Sequence, residues 1–343
     1  MIAATLPPES APRTHDVYRV TVEEYIRFRQ QGFLVVRGLV APEEVAALNA
    51  HTDGILSGRL RVPGIDSPTP DAPAEERHKF WERLHMPHRA MAIHEQFLLH
   101  PRVIDVLEAL IGPDVLALQT MLFFKQPGQN GQGFHQDSYY IPTQPNTLCG
   151  AWLALDRATE ENGCLWFAVG SQNEPIYPDD DLGLKTGDRL LSDITPIIGA
   201  SNPDPSKNTL SKIAAQYEWV KVEADPGDVV FFGGHVLHWS HANTSSRSRR
   251  SFVSHYCNAR SRVPWNHGIP YTDSPKSRAA NHVHILARGG THLEYAQPKF
   301  GTPCAANRPD LYGERVFDIK PKSMMGDNGY MIVTPHDKAV DED

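Results

Sequence analysis

From residue 114 onward the apolar residues come in short runs, "VLALQTMLFFK", "LCGAWLALD", "GCLWFAV", "GDVVFFGGHVLHWS" and "RSFVSHYCN", each closed by Gly, Pro, Asn or Asp. Runs of this length, rich in β-branched and aromatic residues and bounded by turn formers, make strands. They follow one another without helical periods between them, which argues for an all-β sandwich or barrel rather than alternating β and α units. The chain in front reads differently. In "TVEEYIRFRQQGFLVVRGLVAPEEVAALNAHTDGIL" an acidic-started helix stops at Gly32, "FLVVRGL" follows as a strand, and a second helix opens with Pro42 in its first turn. The expected fold is therefore mainly β with flanking helices.

Three stretches fall outside this pattern. Residues 1–19 read as a flexible lead-in, by their Pro, Ser and Ala content. Residues 62–76, "VPGIDSPTPDAPAEE", read as a surface loop without regular structure. Residues 177–212 have no sustained period and many turn formers; an insertion of that length in a β scaffold predicts a lid or substrate loop. Residues 20–343 are expected to form one domain, with 263–343 as a C-terminal extension packed on it.

A net charge of −8 argues against nucleic acid or an anionic membrane as partner, since both select a cationic surface. A small molecule is the expected partner, bound by a monomer or homodimer. The four cysteines, Cys149, Cys164, Cys257 and Cys304, form no C-x-x-C pair, so reduced thiols are expected. The amino terminus has no basic segment ahead of an apolar run, and no stretch reads as long enough to span a bilayer. These features place the protein in the cytoplasm.

The chemistry centres on "GFHQDSYYI". On a strand, His135 and Asp137 share a face while Gln136 points away, so the pair can ligate one ion. A second H-x-D, His51-Thr52-Asp53, falls in the expected helix "PEEVAALNAHTDGIL", where the two side chains diverge. Downstream, "GDVVFFGGHVLHWSHAN" reads as a strand carrying His235, His238 and His241. One imidazole from it, added to His135 and Asp137, makes the two-histidine, one-carboxylate facial triad, which leaves positions open on Fe(II). Zinc is the competing metal, although no H-E-x-x-H motif is present. A third group, His282, His284, His292 and Glu294, lacks the carboxylate that a cupin-type H-x-H pattern needs and reads as structural. Tyr139 and Tyr140, on opposite faces if the strand continues, offer one side chain to a substrate and one to the core.

Taken in order, "EEYIRFRQQGFLVVRGLVAPEEVAAL", "TML" before "KQP", "FHQD", "CGAWLALD", "NGCLWFAVGS", "PGDVVFFGGHVLHWSHAN" and "RRSFVSHY" resemble the phytanoyl-CoA dioxygenase family of Fe(II)- and 2-oxoglutarate-dependent oxygenases, over roughly residues 20–260. The resemblance implies a double-stranded β-helix, or cupin-like jelly roll, with helices packed on one side. Its H-x-S-x-x-N pattern falls on "HWSHAN" and implies that His238 completes the ligand set. The family's arginine for the distal carboxylate of 2-oxoglutarate stands 11 residues later, which implies Arg249, with Arg250 the alternative if the register slips by one. Ser240, Met121 and Trp152 match positions that line the cosubstrate pocket.

The same resemblance implies Fe(II), 2-oxoglutarate and O2 as cofactor and cosubstrates, with succinate and CO2 released as an unactivated C–H bond is hydroxylated. Halogenating relatives replace the carboxylate ligand, so an intact Asp137 implies hydroxylation or a related oxidation, not halogenation. One departure is visible: "VGSQ" stands where the family reads P-G-S-H, placing Val169 and Gln172 in doubt as substrate contacts. Two other readings stay open, a jelly-roll metabolite-binding protein without oxygen chemistry and a zinc hydrolase using the same three ligands.

Overall fold

The computed structural model describes residues 15–177, 199–263, 284–291 and 300, and the backbone of 318–321 and 329–333. Its elements run α1 (Val22–Gln31), β1 (Phe33–Val36), α2 (Pro42–Leu56), α3 (Ala74–Phe80), β2 (Arg83–His85), α4 (Ala92–Leu98), α5 (Pro101–Ile111), β3 (Val115–Lys125), α6 (Asp137–Tyr140), β4 (Cys149–Ala154), β5 (Leu165–Ala168), α7 (Leu210–Ala214), β6 (Trp219–Val222), β7 (Val229–Gly233), β8 (His238–Ser240), β9 (Arg249–Asn258), β10 (Ile285–Arg288), β11 (Asp318–Pro321) and β12 (Gly329–Val333). Helix α1 opens on a capping box: the Thr21 hydroxyl accepts from Glu24 N–H, and the Glu24 carboxylate accepts from Thr21 N–H. It stops at Gly32, whose φ of 87° only glycine adopts cheaply.

The strands form two sheets. The larger has the order β1-β7-β4-β9-β3-β2-β12-β11, with β10 also on β3, and the smaller is β6-β5-β8. Neighbours are antiparallel apart from the β12–β2 pair. Alternate residues separate two layers of core. Phe33, Trp152, Val230, Phe232 and Val253 of the larger sheet meet Leu165, Phe167 and Val222 of the smaller, with Phe33 and Phe167 stacked at 4.4 Å. The residues between them, such as Leu34, Leu153, Phe231 and Phe252, face outward under the helices with Leu48, Ile55 and Leu107. The smaller sheet is covered in turn, with Trp239 and Ala168 packed on Phe134, Leu210 and Ala214. Strands buried on both faces carry unbroken apolar runs, which is why the sequence lacks clean alternation. The architecture is a cupin-like jelly roll with α1, α2, α4 and α5 packed on the larger sheet and the short α7 on the smaller, so the helices are not confined to one side.

Several expectations are corrected. The run "GDVVFFGGHVLHWS" is two strands rather than one: β7 lies in the larger sheet and β8 in the smaller. The chain leaves at Gly234, where a Cβ would collide with Ser138 and Leu148, so the second glycine permits the crossing. Residues 74–76 are not loop but the first turn of α3. Residues 15–19 are not free, because the His15 imidazole and the Tyr18 N–H both reach the buried Asp105 carboxylate. At the end of the supposed lid, a 3-10 turn at Pro205–Lys207 and helix α7 are regular, and residues 178–198 lie outside the described residues. Beyond 263, β10 pairs with β3 and Arg288 bridges Asp105 and Glu108. His284 is buried, whereas His282, His292 and Glu294 fall outside the described residues, as does Cys304. Cys149, Cys164 and Cys257 are buried and free. Among the described residues no helix is long and apolar enough to cross a membrane.

Candidate metal centre

The space between the sheets is lined by rows set by strand register. On β3 and β9, Gln119 opposes His255, Met121 opposes Val253, Phe123 opposes Ser251 and Lys125 opposes Arg249. On the other side of β9, Trp152 of β4 pairs with Val253. From the smaller sheet β8 sends His238 and Ser240 inward and Trp239 outward, where it packs on Phe134. His135 is delivered to this row by a backbone bridge, each of His135 and His238 donating its N–H to the other's carbonyl at 3.2 Å. The approach passes Gly131 and Gly133, where an added Cβ would collide with the Ser240 and Asn202 backbone.

The His135-Gln136-Asp137 strand is half right. The chain is extended through Gln136 (φ −122°, ψ 127°) and then turns into α6 at Asp137. Because the extended part includes Gln136, His135 and Asp137 still share a side, and Gln136 points away to donate to the Pro175 and His235 carbonyls. One ligand atom each from His135, Asp137 and His238 lies within 4.8 Å of the others, and all three residues are buried. Asp137 Oδ1 stands 3.6 Å from His135 Nε2 and 3.7 Å from His238 Nε2, beyond hydrogen-bonding range. Each imidazole is oriented by its other nitrogen: Nδ1–H of His135 donates to the Gly133 carbonyl at 2.8 Å, and that of His238 to the Val236 carbonyl at 3.1 Å. Their Nε2 lone pairs are thereby turned toward Asp137.

Protonation suits a cation. Burial first, then the neighbouring His238, push the His135 imidazolium pKa down to about 3, so the ring is neutral. Burial opposes ionisation of Asp137, but the facing His238 and His255 outweigh it and hold the carboxyl well below the usual range. Asp137 Oδ2 is engaged separately, by His255 Nε2 at 2.8 Å. Gln119 Nε2–H donates to His255 Nδ1 at 3.1 Å, which fixes the proton on Nε2 and leaves Oδ1 as the carboxylate's free ligand atom. Neutral nitrogen, anionic oxygen and a buried, oriented facial set fit a divalent transition metal.

The other expected residues fall around this cluster. Arg249 is buried on the inward face with its guanidinium 5.4 Å over the Trp152 ring, whereas Arg250 points outward to Asp156 and Asp53. Ser240 shares the inward face of β8 with His238, and Met121 packs beside Val253 and Trp152. Tyr139 and Tyr140 do not alternate across a strand; both sit in α6, their rings 4.8 Å apart. Tyr140 is the one beside the cluster, its ring 6.4 Å from His135 and its hydroxyl 2.8 Å from Ser201 Oγ. Tyr139 is buried. His235 bonds the Glu174 carbonyl and His241 packs on Trp166, so neither joins the cluster. Gln172 of the departing "VGSQ" donates to the carbonyls of Arg29 and Gln30 at the end of α1.

Gln119, His255 and Lys125 escaped the sequence reading. Parity held the signal for His255, which lies an even number of residues from Arg249 and so shares its face. Lys125 stands within the quoted "KQP". Gln119 is visible only through its pairing with His255 across the sheet.

A jelly roll with two histidines and one carboxylate gathered between its sheets defines the class: a scaffold for a non-haem metal centre with open coordination positions. The sequence profile of phytanoyl-CoA dioxygenase (PhyH) matches residues 28–251, and the chain belongs to that family. Rat (Rattus norvegicus) peroxisomal phytanoyl-CoA dioxygenase is 24% identical over 257 residues, covering 73% of this chain and 72% of the rat protein. Two solved structures share the fold. The epimerase SnoN, in complex with Fe3+, alpha ketoglutarate and nogalamycin RO, superposes with a TM-score of 0.55 at 20% identity, covering 79% of this chain and 96% of its own. EctD from S. alaskensis, with 2-oxoglutarate and 5-hydroxyectoine, gives 0.53 at 18% identity, covering 73% and 83%.

Proposed function

We propose that this protein is a non-haem Fe(II)- and 2-oxoglutarate-dependent dioxygenase that hydroxylates an unactivated C–H bond of a small metabolite, releasing succinate and CO2. The observation that carries the reading is the juxtaposition, in one buried space, of an oriented His135-Asp137-His238 set and an arginine, Arg249, that no acidic side chain among the described residues neutralises. Bound there, iron would supply activation of O2 against a chelated 2-oxo acid. The chain's own residues do the rest. His135 and His238 present fixed Nε2 lone pairs, and His255 holds Asp137 so that one oxygen faces the metal. Arg249, stacked on Trp152, grips the far carboxylate of the cosubstrate in a planar fork, with the Ser240 hydroxyl and Met121 lining the same pocket. Apolar walls from Phe232, Val253 and Phe167 keep water from the reacting atoms.

Tyr140 is the side chain offered to the substrate, and the part of residues 177–212 ahead of the turn at Pro205–Lys207 is the lid, with Ser201 as the contact between them. Residues 20–343 act as one unit, in the cytoplasm, as a monomer or homodimer. The test is succinate formation from 2-oxoglutarate by the Fe(II)-loaded protein across a panel of small metabolites, with product mass read in parallel. A gain of one oxygen supports hydroxylation, and an unchanged mass points to an isomerisation of the kind named for SnoN. Turnover that survives without O2 overturns the reading in favour of a zinc hydrolase. A protein that 2-oxoglutarate and Fe(II) do not stabilise thermally is a binding module without this chemistry.

A further inference from the structure

Lys125 ends β3 directly opposite Arg249, the first residue of β9, and both side chains project between the sheets. Each is only 5% exposed. Like charges directly opposed on neighbouring strands repel, and burying either one costs solvation that a counter-ion must offset. Among the described residues no carboxylate forms an ion pair with either; burial lowers the Arg249 pKa, and Asp156, which raises it from a distance, is engaged by Arg250. The Lys125 ammonium donates to Ser240 Oγ at 3.1 Å and to the His241 carbonyl. The Arg249 guanidinium donates to Ser251 Oγ at 2.9 Å and the Gly163 carbonyl at 3.1 Å, while its buried Nε has no partner. All four acceptors are neutral. The strain shows in Lys125, whose pKa burial first, then the charge of Arg249, push down to about 7.

The surroundings are shaped for the pair. Gly163 lies against Lys125 with φ +82°, and a Cβ there would strike the ammonium end and the His241 carbonyl. Ser240 Oγ accepts from Lys125 and from Gln132 N–H at 3.3 Å, which uses both lone pairs and leaves its own proton to donate. Two cations, an unpartnered guanidinium N–H and a hydroxyl proton thus converge without an anion supplied by the described chain.

We infer that Lys125 is a second cationic anchor of the cosubstrate pocket, holding with Arg249 and Ser240 the carboxylate far from the metal and restricting the site to dicarboxylic 2-oxo acids. This rests on the oxygenase reading above.

The test uses the full chain loaded with Mn(II) as an unreactive stand-in, and measures Kd by calorimetry for 2-oxoglutarate and for 2-oxopentanoate, in which a methyl replaces the distal carboxylate. Lys125→Met is expected to weaken 2-oxoglutarate by about tenfold to a hundredfold while leaving 2-oxopentanoate within about twofold, as loss of one charge-assisted hydrogen bond requires. Lys125→Arg should restore the preference. Lys125→Gln, which keeps a donor for the His241 carbonyl, serves if the methionine variant does not fold, with the same loss expected. Equal weakening of both ligands assigns Lys125 a structural role and overturns the inference, as does an unchanged preference. Failure of the wild-type protein to bind 2-oxoglutarate overturns the oxygenase reading itself.

Discussion

Arg249 and Arg250 are neighbours in sequence with opposite circumstances in space. Arg250 points out of the sheet into a fork with Asp156, both oxygens engaged at 2.7 and 2.8 Å, and a further bond to Asp53 at the end of α2. These partners, the side-chain bonds to Asp156 foremost, raise its pKa above the ordinary arginine value. Arg249 points in, meets neutral acceptors and an aromatic face, and burial pushes its pKa down to about 10. The outward cation brings its own acid; the inward one is left with an unfilled demand, which the proposed cosubstrate carboxylate would meet. The same division separates the outer face of β9, where Phe252 and Tyr256 fill the helix layer, from the inner face, where Ser251 and His255 stay polar.

The sharpest way to break that contrast is to empty the inner face. Asp137→Ala and His135→Ala should each abolish Fe(II)-dependent succinate formation while retaining the cooperative unfolding transition, read by circular dichroism. Substituting the two arginines one at a time comes next. Arg249→Gln should raise the KM for 2-oxoglutarate by about tenfold to a hundredfold with little loss of apo stability, because it removes an unneutralised buried charge. Arg250→Gln should do the reverse, costing about 1–3 kcal/mol in denaturant unfolding by stranding Asp156, with KM near wild type.

Smaller effects follow around the metal. Gln119→Leu should loosen the tautomer of His255 and with it the hold on Asp137 Oδ2, weakening Fe(II) affinity by about tenfold to a hundredfold in a chelator competition. The smallest effect is one of pH. With its pKa near 7, folded Lys125 binds fewer protons than the unfolded chain over the interval up to the ordinary lysine range. Its destabilisation is complete below about 7 and is relieved as pH rises. The apo stability advantage of Lys125→Met over wild type should therefore shrink between about pH 7 and pH 9, and an advantage independent of pH would place the Lys125 charge elsewhere.

Much of this contrast could be read before any fold was known. Alternation along "RRSFVSHY" already divides Arg249 from Arg250, though not which of them faces inward. Gly32 and Pro42 mark helix boundaries through local chemistry, and the structure has them where that chemistry requires. Tyr140 was not legible in the same way. Its place beside His135 depends on the turn from extended chain to helix at Asp137, where Ser138 N–H donates to the Gly234 carbonyl at the crossing between β7 and β8. The split of "GDVVFFGGHVLHWS" into two sheets was equally hidden, because strand-forming residues stand on both sides of Gly233-Gly234.

What the sequence determined by itself is local: the strand and helix content, the residue types capable of holding iron and a carboxylate, and the parity that puts alternate residues on one face. Those follow from backbone sterics and hydrogen bonding within a few residues. Tertiary structure alone decided which atoms share a space. Gln119 and His255, 136 positions apart, meet because β3 and β9 pair in one register. Lys125 and Arg249 become a problem for each other, and an opportunity for an anion, only because that same register buries them face to face.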